Sequence, residues 1–313
     1  MNSMARRELT TQPEQYPRAE LVERMTRAIP AASVIQPLPG LFLARSFQAM
    51  QPVYGISQPT FCVVAQGCKE VHLADQRYQY DPYNYLLATA ELPIVSQVLE
   101  ASAELPYMGL QLYLDAAVVA SVMVEIGQLP PEPQKLVKAI EVSPLDTALL
   151  DATLRLVRLL DNPTETRVLL PLITREIIYR LLVGEQGHRL RQMTVKGGHV
   201  YRISEAVQKI CREFAGPLYV EEIARGIGMS VSGFHHHFKE VTALTPLQFQ
   251  KQLRLQEARR LMLSEEMDAA TAGFRVGYED ASHFNHDYKR LFGITPLRDV
   301  ERLRMVGTAN SRI

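Results

Sequence analysis

The sequence has no excess of charge of either sign, little cysteine and no long apolar run. Its 313 residues hold 34 basic and 34 acidic side chains, a formal net charge of zero. That removes the simplest argument for a nucleic-acid binder, a domain pI above about 9. It leaves open charge segregated on the surface. Three cysteines, Cys62, Cys68 and Cys211, are too few and too odd in number for a disulfide framework. Reduced thiols in the cytoplasm are the expectation. The longest apolar stretch, Ala116–Val124, has nine residues with Ser121 inside it, whereas a membrane helix needs about 20. The polar first 15 residues carry no apolar segment of signal-peptide type, so a cytoplasmic protein with no membrane partner is expected.

Apolar residues make up 47% and charged residues 22%, an ordinary balance for a globular chain. At roughly 100–200 residues per domain the length suggests two. Gly197-Gly198 is a plausible hinge. Residues 199–313 carry 16 basic and 14 acidic residues, and six of the eight histidines lie beyond residue 198. The expected division is a disordered tail over 1–20, a first domain over 21–190, a linker over 191–198 and a second domain over 199–304.

Between residues 40 and 114 the text reads as short strands rich in β-branched and aromatic residues. They are 41–43, 60–65, 70–73, 78–80, 85–88, 94–100 and 108–114, separated by turn tokens such as Gln66-Gly67, Ala74-Asp75 and Asp81-Pro82. Such spacing predicts a small barrel or sandwich. From residue 115 to 183 the apolar period becomes helical, with helices expected over 116–126, 144–160 and 165–182. The proline-rich 130–133 separates the first from the second. The fold class expected is therefore α+β: a barrel with a helical region, then an all-α domain.

The last hundred residues contain a repeat. At an offset of 50, Phe234, His236, Phe238 and Lys239 match Phe284, His286, Tyr288 and Lys289, and Thr245-Pro246-Leu247 matches Thr295-Pro296-Leu297. Upstream the offset is 49, pairing Ala224, Ile227 and Gly228 with Gly273, Val276 and Gly277. Each copy reads as a short helix ended by a glycine, a turn with Ser230 or Asp280 as N-cap, and a second helix with Phe234/Phe238 or Phe284/Tyr288 inward. This is a helix-turn-helix. Thr245-Pro246 opens a long connecting helix. Two recognition helices on one rod suit successive major grooves, about 34 Å apart. The outward candidates for DNA contact are Ser232, His235, His236 and Lys239 in the first copy, and Ala281, Ser282, Asn285, His286 and Lys289 in the second.

The stretches EEIARGIGMSVSGFHHHFKEVTALTPLQFQKQLRLQEARRLMLSE and AGFRVGYEDASHFNHDYKRLFGITPLRDV resemble the double motif of the AraC/XylS transcription regulators over about residues 199–304. His236 and His286 stand where the family often has Arg, which implies weaker phosphate attraction or a different target. Residues 59–73 and 78–98 resemble the N-terminal domain of a subgroup with a cupin-like barrel and following helices, one of whose members responds to aldehydes. The resemblance implies a sequence-specific regulator of transcription. Its partners would be double-stranded DNA, a small effector that is an aldehyde in the sharpest reading, RNA polymerase if it activates, and a second copy in a homodimer.

Other sites weigh less. His235-His236-His237 cannot converge as a trio on one ion, because successive helical residues point about 100° apart. Residues 40–114 hold one histidine, His72, too few for a metal-dependent cupin enzyme. No metal or cofactor is expected. Cys62 and Cys68 flank a turn. They read as buried and inert or, in the sharper version, as an effector-sensing thiol pair with Cys68 the better candidate. Tyr78, Tyr80, Tyr83 and Tyr85 read as barrel packing, with lining of a pocket by some of them as the alternative. Val157, Leu160, Leu169, Leu172 and Ile173 form either intrachain core or a dimer seam. Two competing readings are an enzyme built on the barrel and acting on a small carbonyl compound, and a regulator without a ligand.

Overall fold

A computed structural model describes residues 12–127, 138–194 and 198–310. The chain divides into two compact units, Met1–Val53 with Ser57–Tyr201, and Tyr54–Ile56 with Arg202–Ile313. The proline-rich 130–133 and Gly197 lie outside the described residues. Among the described residues no helix is long and apolar enough to cross a membrane.

The first unit opens with helix α1, Gln12–Ala28. Residues 12–20 are thus helical where a disordered tail was expected over 1–20, and residues 1–11 lie outside the described residues. Leu21, Met25 and Ile29 recur every four residues and are buried, so one apolar stripe pins the helix to the core. Ten strands follow: β1 Ser33–Leu38, β2 Leu41–Ser46, β3 Val53–Ser57, β4 Thr60–Gln66, β5 Cys68–Leu73, β6 Gln76–Tyr80, β7 Asn84–Ala88, β8 Leu92–Glu100, β9 Tyr107–Tyr113 and, after helix α2 (Ala116–Ile126), β10 Ile140–Pro144. Within this unit they form a six-stranded sheet, β1-β2-β9-β4-β7-β10, and a second sheet in which β8, β5 and β6 are neighbours in that order, while Tyr54–Ile56 of β3 belong to the second unit. Among the described residues neither sheet closes on itself, so the expected barrel is corrected to two open sheets. The helical reading of 144–160 began too early. Residues 140–144 pair with β7 as an edge strand, and Asp146 caps helix α3, Thr147–Arg158, by accepting from Leu149 N at 2.7 Å.

Strand alternation gives the large sheet two faces. Phe61, Val63 and Ala65 of β4 join Leu41, Leu43, Leu110 and Leu112 in one core with α1, α2, α3 and helix α4, Pro163–Val183. Cys62 points the other way, towards Tyr80 of the small sheet, with its Sγ 3.9 Å from Thr60 Oγ1. Within the small sheet Lys69 stands opposite Tyr80 and Val98, both buried. Opposed residues share a face, so the half-buried Lys69 lies on the face turned to the interior between the sheets. Of the proposed seam, Val157 and Ile173 are core, Leu160 and Leu169 pack against it, and Leu172 is 57% exposed. Helix α5, Gly187–Gln192, carries Leu190 into the same core, joined by Met193. Residues 190–193 are therefore packed where a linker was expected to begin.

Glu20 ties α1 to α3. Its carboxylate accepts from Arg158 Nε at 2.8 Å, Arg158 Nη2 at 2.6 Å and Arg24 Nε at 2.6 Å. These hydrogen bonds, Arg158 foremost, pull its pKa from 4.5 to about 2. A lowered carboxylate pKa stabilises the folded state above the unfolded value, and that stability is lost as pH falls through the folded one. In acid titrations of the first unit, Glu20→Gln is expected to lower stability at neutral pH and to remove part of the loss between pH 4.5 and about 2. An unchanged acid limb contradicts this.

Candidate nucleic-acid interface

The second unit begins within helix α6, His199–Glu213, and continues with α7 Val220–Gly226, α8 Val231–Thr242, α9 Pro246–Ser264, α10 Ala269–Arg275, α11 Ala281–Phe292 and α12 Pro296–Asn310. Two helix-turn-helix motifs, α7–α8 and α10–α11, flank the connecting helix α9. Each boundary has a local cause. Gly228 and Gly277 sit at φ +68° and +94°, a left-handed conformation that costs glycine little. At Gly277 a Cβ would also meet Ala215 O at 2.0 Å. Ser230 caps α8 through Gly233 N at 3.2 Å, and Asp280 caps α11 through His283 N at 2.9 Å. Thr245 and Gln248 form a reciprocal capping box at the start of α9, with Pro246 in its first turn.

Helix α9 serves both motifs. At its N-terminal end Phe249 meets Phe238 edge-on at 5.4 Å, and Phe238 meets Phe234 at 5.3 Å. At its C-terminal end Leu255, Ala258, Leu261 and Met262 join Phe284 and Tyr288. Polar bonds add to this apolar packing. The Arg254 guanidinium donates to Phe214 O, Gly216 O and Gly277 O, each at 2.7 Å. Asp299, fully buried, accepts from Arg259 Nε at 2.7 Å, Arg259 Nη2 at 3.0 Å, Tyr288 OH at 2.9 Å and Arg302 Nη2 at 2.9 Å. Burial, with Asp299 beside it, raises the Tyr288 pKa, so the phenol stays a donor.

With Phe234, Phe238, Phe284 and Tyr288 turned inward, the opposite faces of α8 and α11 are set. Ser232, His235, His236 and Lys239 are exposed on α8, and Ser282, Asn285, His286 and Lys289 are exposed on α11, with Ala281 half-buried at its start. Such a face offers hydroxyl, amide and imidazole groups to base edges and ammonium groups to phosphates. His237 turns towards the protein, its side chain 17% exposed against 62% for His236. Arg225, Arg275, His283 and Arg290 are further exposed groups on these motifs that the sequence pattern did not single out. The position of Arg225 and Arg275 at the ends of the first helices was the available signal. The buried Asp299–Arg259 pair left no such signal, because its members lie far apart in the chain.

The two N-terminal cysteines lack what a sensing thiol needs, exposure and a lowered pKa. Cys62 and Cys68 are both buried, and burial foremost pushes both thiols up. Lys69, which no sequence motif marks, shares the interior with Cys62. Burial shifts its amine down, towards the neutral form. Tyr78, Tyr80 and Tyr85 are buried, and Tyr83 is 62% exposed.

The family description "AraC-type transcriptional regulator N-terminus" matches residues 37–189, and "Helix-turn-helix domain" matches residues 223–302. The regulator ArgR of Pseudomonas aeruginosa is 25% identical over 128 residues, 41% of this chain and 39% of its own length. The activator RhaS of Klebsiella pneumoniae is 29% identical over 103 residues, 33% of this chain and 37% of its own. The chain thus spans less than half the length of these curated relatives. An apo form of a ToxT point variant from Vibrio cholerae shares the fold, with a TM-score of 0.54 at 10% identity over 83% of this chain and 97% of that one. Wild-type ToxT with an unsaturated fatty acid bound gives 0.51 at 10% identity, over 83% and 93%. The first match describes an AraC-type regulator, the second a helix-turn-helix domain, and the curated relatives are regulators of transcription; the chain belongs to the AraC/XylS family of transcriptional regulators.

Proposed function

We propose that this chain is a cytoplasmic, sequence-specific DNA-binding regulator whose first unit binds a small effector. One observation carries the DNA reading: two capped helix-turn-helix motifs share the core of a single helix, α9, and each exposes Ser, His or Asn side chains and a Lys on its second helix. Ser232, His235, His236 and Lys239, with Ala281, Ser282, Asn285, His286 and Lys289, are the proposed contacts. Selection of bound duplexes from a random-sequence pool by the full chain tests this. Enrichment of one motif with two separated half-sites is expected. Recovery of unenriched sequence contradicts it. If it activates transcription, RNA polymerase is a further partner. A homodimer partner has support from the exposed Val168 and Leu172, one turn apart on α4.

The effector reading rests on the interior between the sheets. Lys69 lies there beside the buried Cys62, Tyr80 and Val98, with no carboxylate ion pair among the described residues. A desolvated lysine amine is a nucleophile towards carbonyl compounds. An aldehyde effector would condense with the Lys69 amine, forming the imine and releasing water. On this reading the capturing group is Lys69 rather than Cys68. Borohydride reduction of the aldehyde-treated full chain, followed by peptide mass analysis, is expected to leave the adduct on Lys69 and none in Lys69→Met. Labelling elsewhere, or none, contradicts it. A carboxylate effector, the class that ToxT holds as an unsaturated fatty acid, would pair with the same amine as an ammonium. It would raise thermal stability without a trapped adduct.

A further inference from the structure

Three successive histidines on a helix cannot meet at one ion, but two of them can meet a carboxylate one turn on. On α8, His236 and His237 bracket Glu240. His236 Nε2 lies 3.1 Å from Glu240 Oε2, and His237 Nδ1 lies 3.4 Å from the same oxygen. One ligand atom from each of the three residues lies within 4.8 Å of the other two. Zinc bonds of about 2.0–2.1 Å in tetrahedral geometry imply ligand-to-ligand edges of about 3.3–3.4 Å. Both measured contacts are close to that edge. The Glu240 oxygen is buried and has no hydrogen-bond partner among the described residues. Its two close contacts therefore bring donor atoms together without the alignment of N–H···O bonds.

The donor set narrows the ion. Two imidazole nitrogens and one carboxylate oxygen suit a borderline divalent transition metal. Calcium and magnesium prefer all-oxygen shells. The i, i+4 pair His236/Glu240 is a spacing that puts two side chains on one helix face, and His237 closes the third corner from the inner side. We propose that His236, His237 and Glu240 form a three-ligand site for a divalent metal ion of the zinc class on the first recognition helix, with an open coordination position. One consequence rests on the DNA-contact reading given above: the ion takes His236 Nε2 away from DNA, so metal occupancy and base contact compete. The site itself does not depend on that reading.

The test uses the tag-free full chain and Co(II) alone, read by its visible d–d absorption, then displaced by Zn(II). One-to-one saturable absorption is expected. Glu240→Gln and His237→Gln should each weaken Co(II) binding by about tenfold or more, since loss of a mere outer-shell partner already costs 10–100-fold. Circular dichroism of each variant confirms that α8 remains folded. Absence of saturable absorption overturns the site, as does equal binding by the wild type and both folded variants. A hydrogen-bonded His–Glu cluster would behave in that way. Binding of the selected duplex is measured separately, with and without Zn(II). Weakened binding supports the competition. Unchanged affinity at saturating Zn(II) overturns the competition, and the absorption result stands apart from it.

Discussion

Asp299→Ala is expected to destabilise the second unit by about 3–5 kcal/mol, the usual cost of removing one member of a buried ion pair. The carboxylate is fully buried and gathers three helices: Arg259 from α9, Tyr288 from α11 and Arg302 from its own α12. Removing it leaves the Arg259 guanidinium, whose side chain is 9% exposed, as an uncompensated charge in a low-dielectric site. It also removes the acceptor of the Tyr288 hydroxyl. A surface pair would be worth little by comparison. Native-state hydrogen exchange of the α9, α11 and α12 amides measures the effect locally. The double change Asp299→Leu with Arg259→Met should recover part of the stability, because it removes both charges together. A cost below about 1 kcal/mol in the single variant would put the network in the class of exposed pairs.

The second large effect concerns DNA. His236→Ala with Asn285→Ala should weaken specific binding by about 2–6 kcal/mol, taking about 1–3 for each side chain that meets a base edge. The two side chains lie on different motifs, so their effects should nearly add. Both are exposed, and the fold should survive, as circular dichroism would show. Lys239→Ala with Lys289→Ala should act differently. Removing ammonium groups that meet phosphates weakens binding to every sequence alike and lowers the salt slope by about 0.9 for each phosphate no longer neutralised. Equal weakening on specific and random duplexes for the His236/Asn285 pair would show that these positions do not read bases. The comparison is made without added metal, so that occupancy of the His236 site does not enter.

What the sequence reveals depends on how local the cause is. The second unit was legible because its determinants sit within a few residues of their effects. Ser230, Asp280 and Thr245 cap the helices that follow them, and Gly228 and Gly277 take the left-handed turns. The inward aromatics recur at four-residue spacing. The first unit was legible as strands but not as sheets. β2 pairs with β9 and β4 with both β7 and β9, and no local pattern states such partners. Strands β1, β3 and β10 escaped because a strand-breaking residue stands in each, Pro37, Gly55 and Pro144. Helix α1 escaped because its stripe, Leu21, Met25 and Ile29, follows a polar start. Lys69 escaped for a third reason. An alternating strand shows which residues share a face but not which face is inside, and a lysine is assumed to be out until its neighbours Tyr80 and Val98 are seen to be buried. His236, His237 and Glu240 were in plain view, yet three successive imidazoles fail a geometric test that two imidazoles and a carboxylate pass.

The central claim is that α8 and α11 grip one duplex together. Hydroxyl-radical footprinting of the full chain on its selected duplex tests it most directly. Two protected segments on one face of the helix, about 10–10.5 base pairs apart, are predicted. Protection confined to a single segment, or segments on opposite faces, would contradict it.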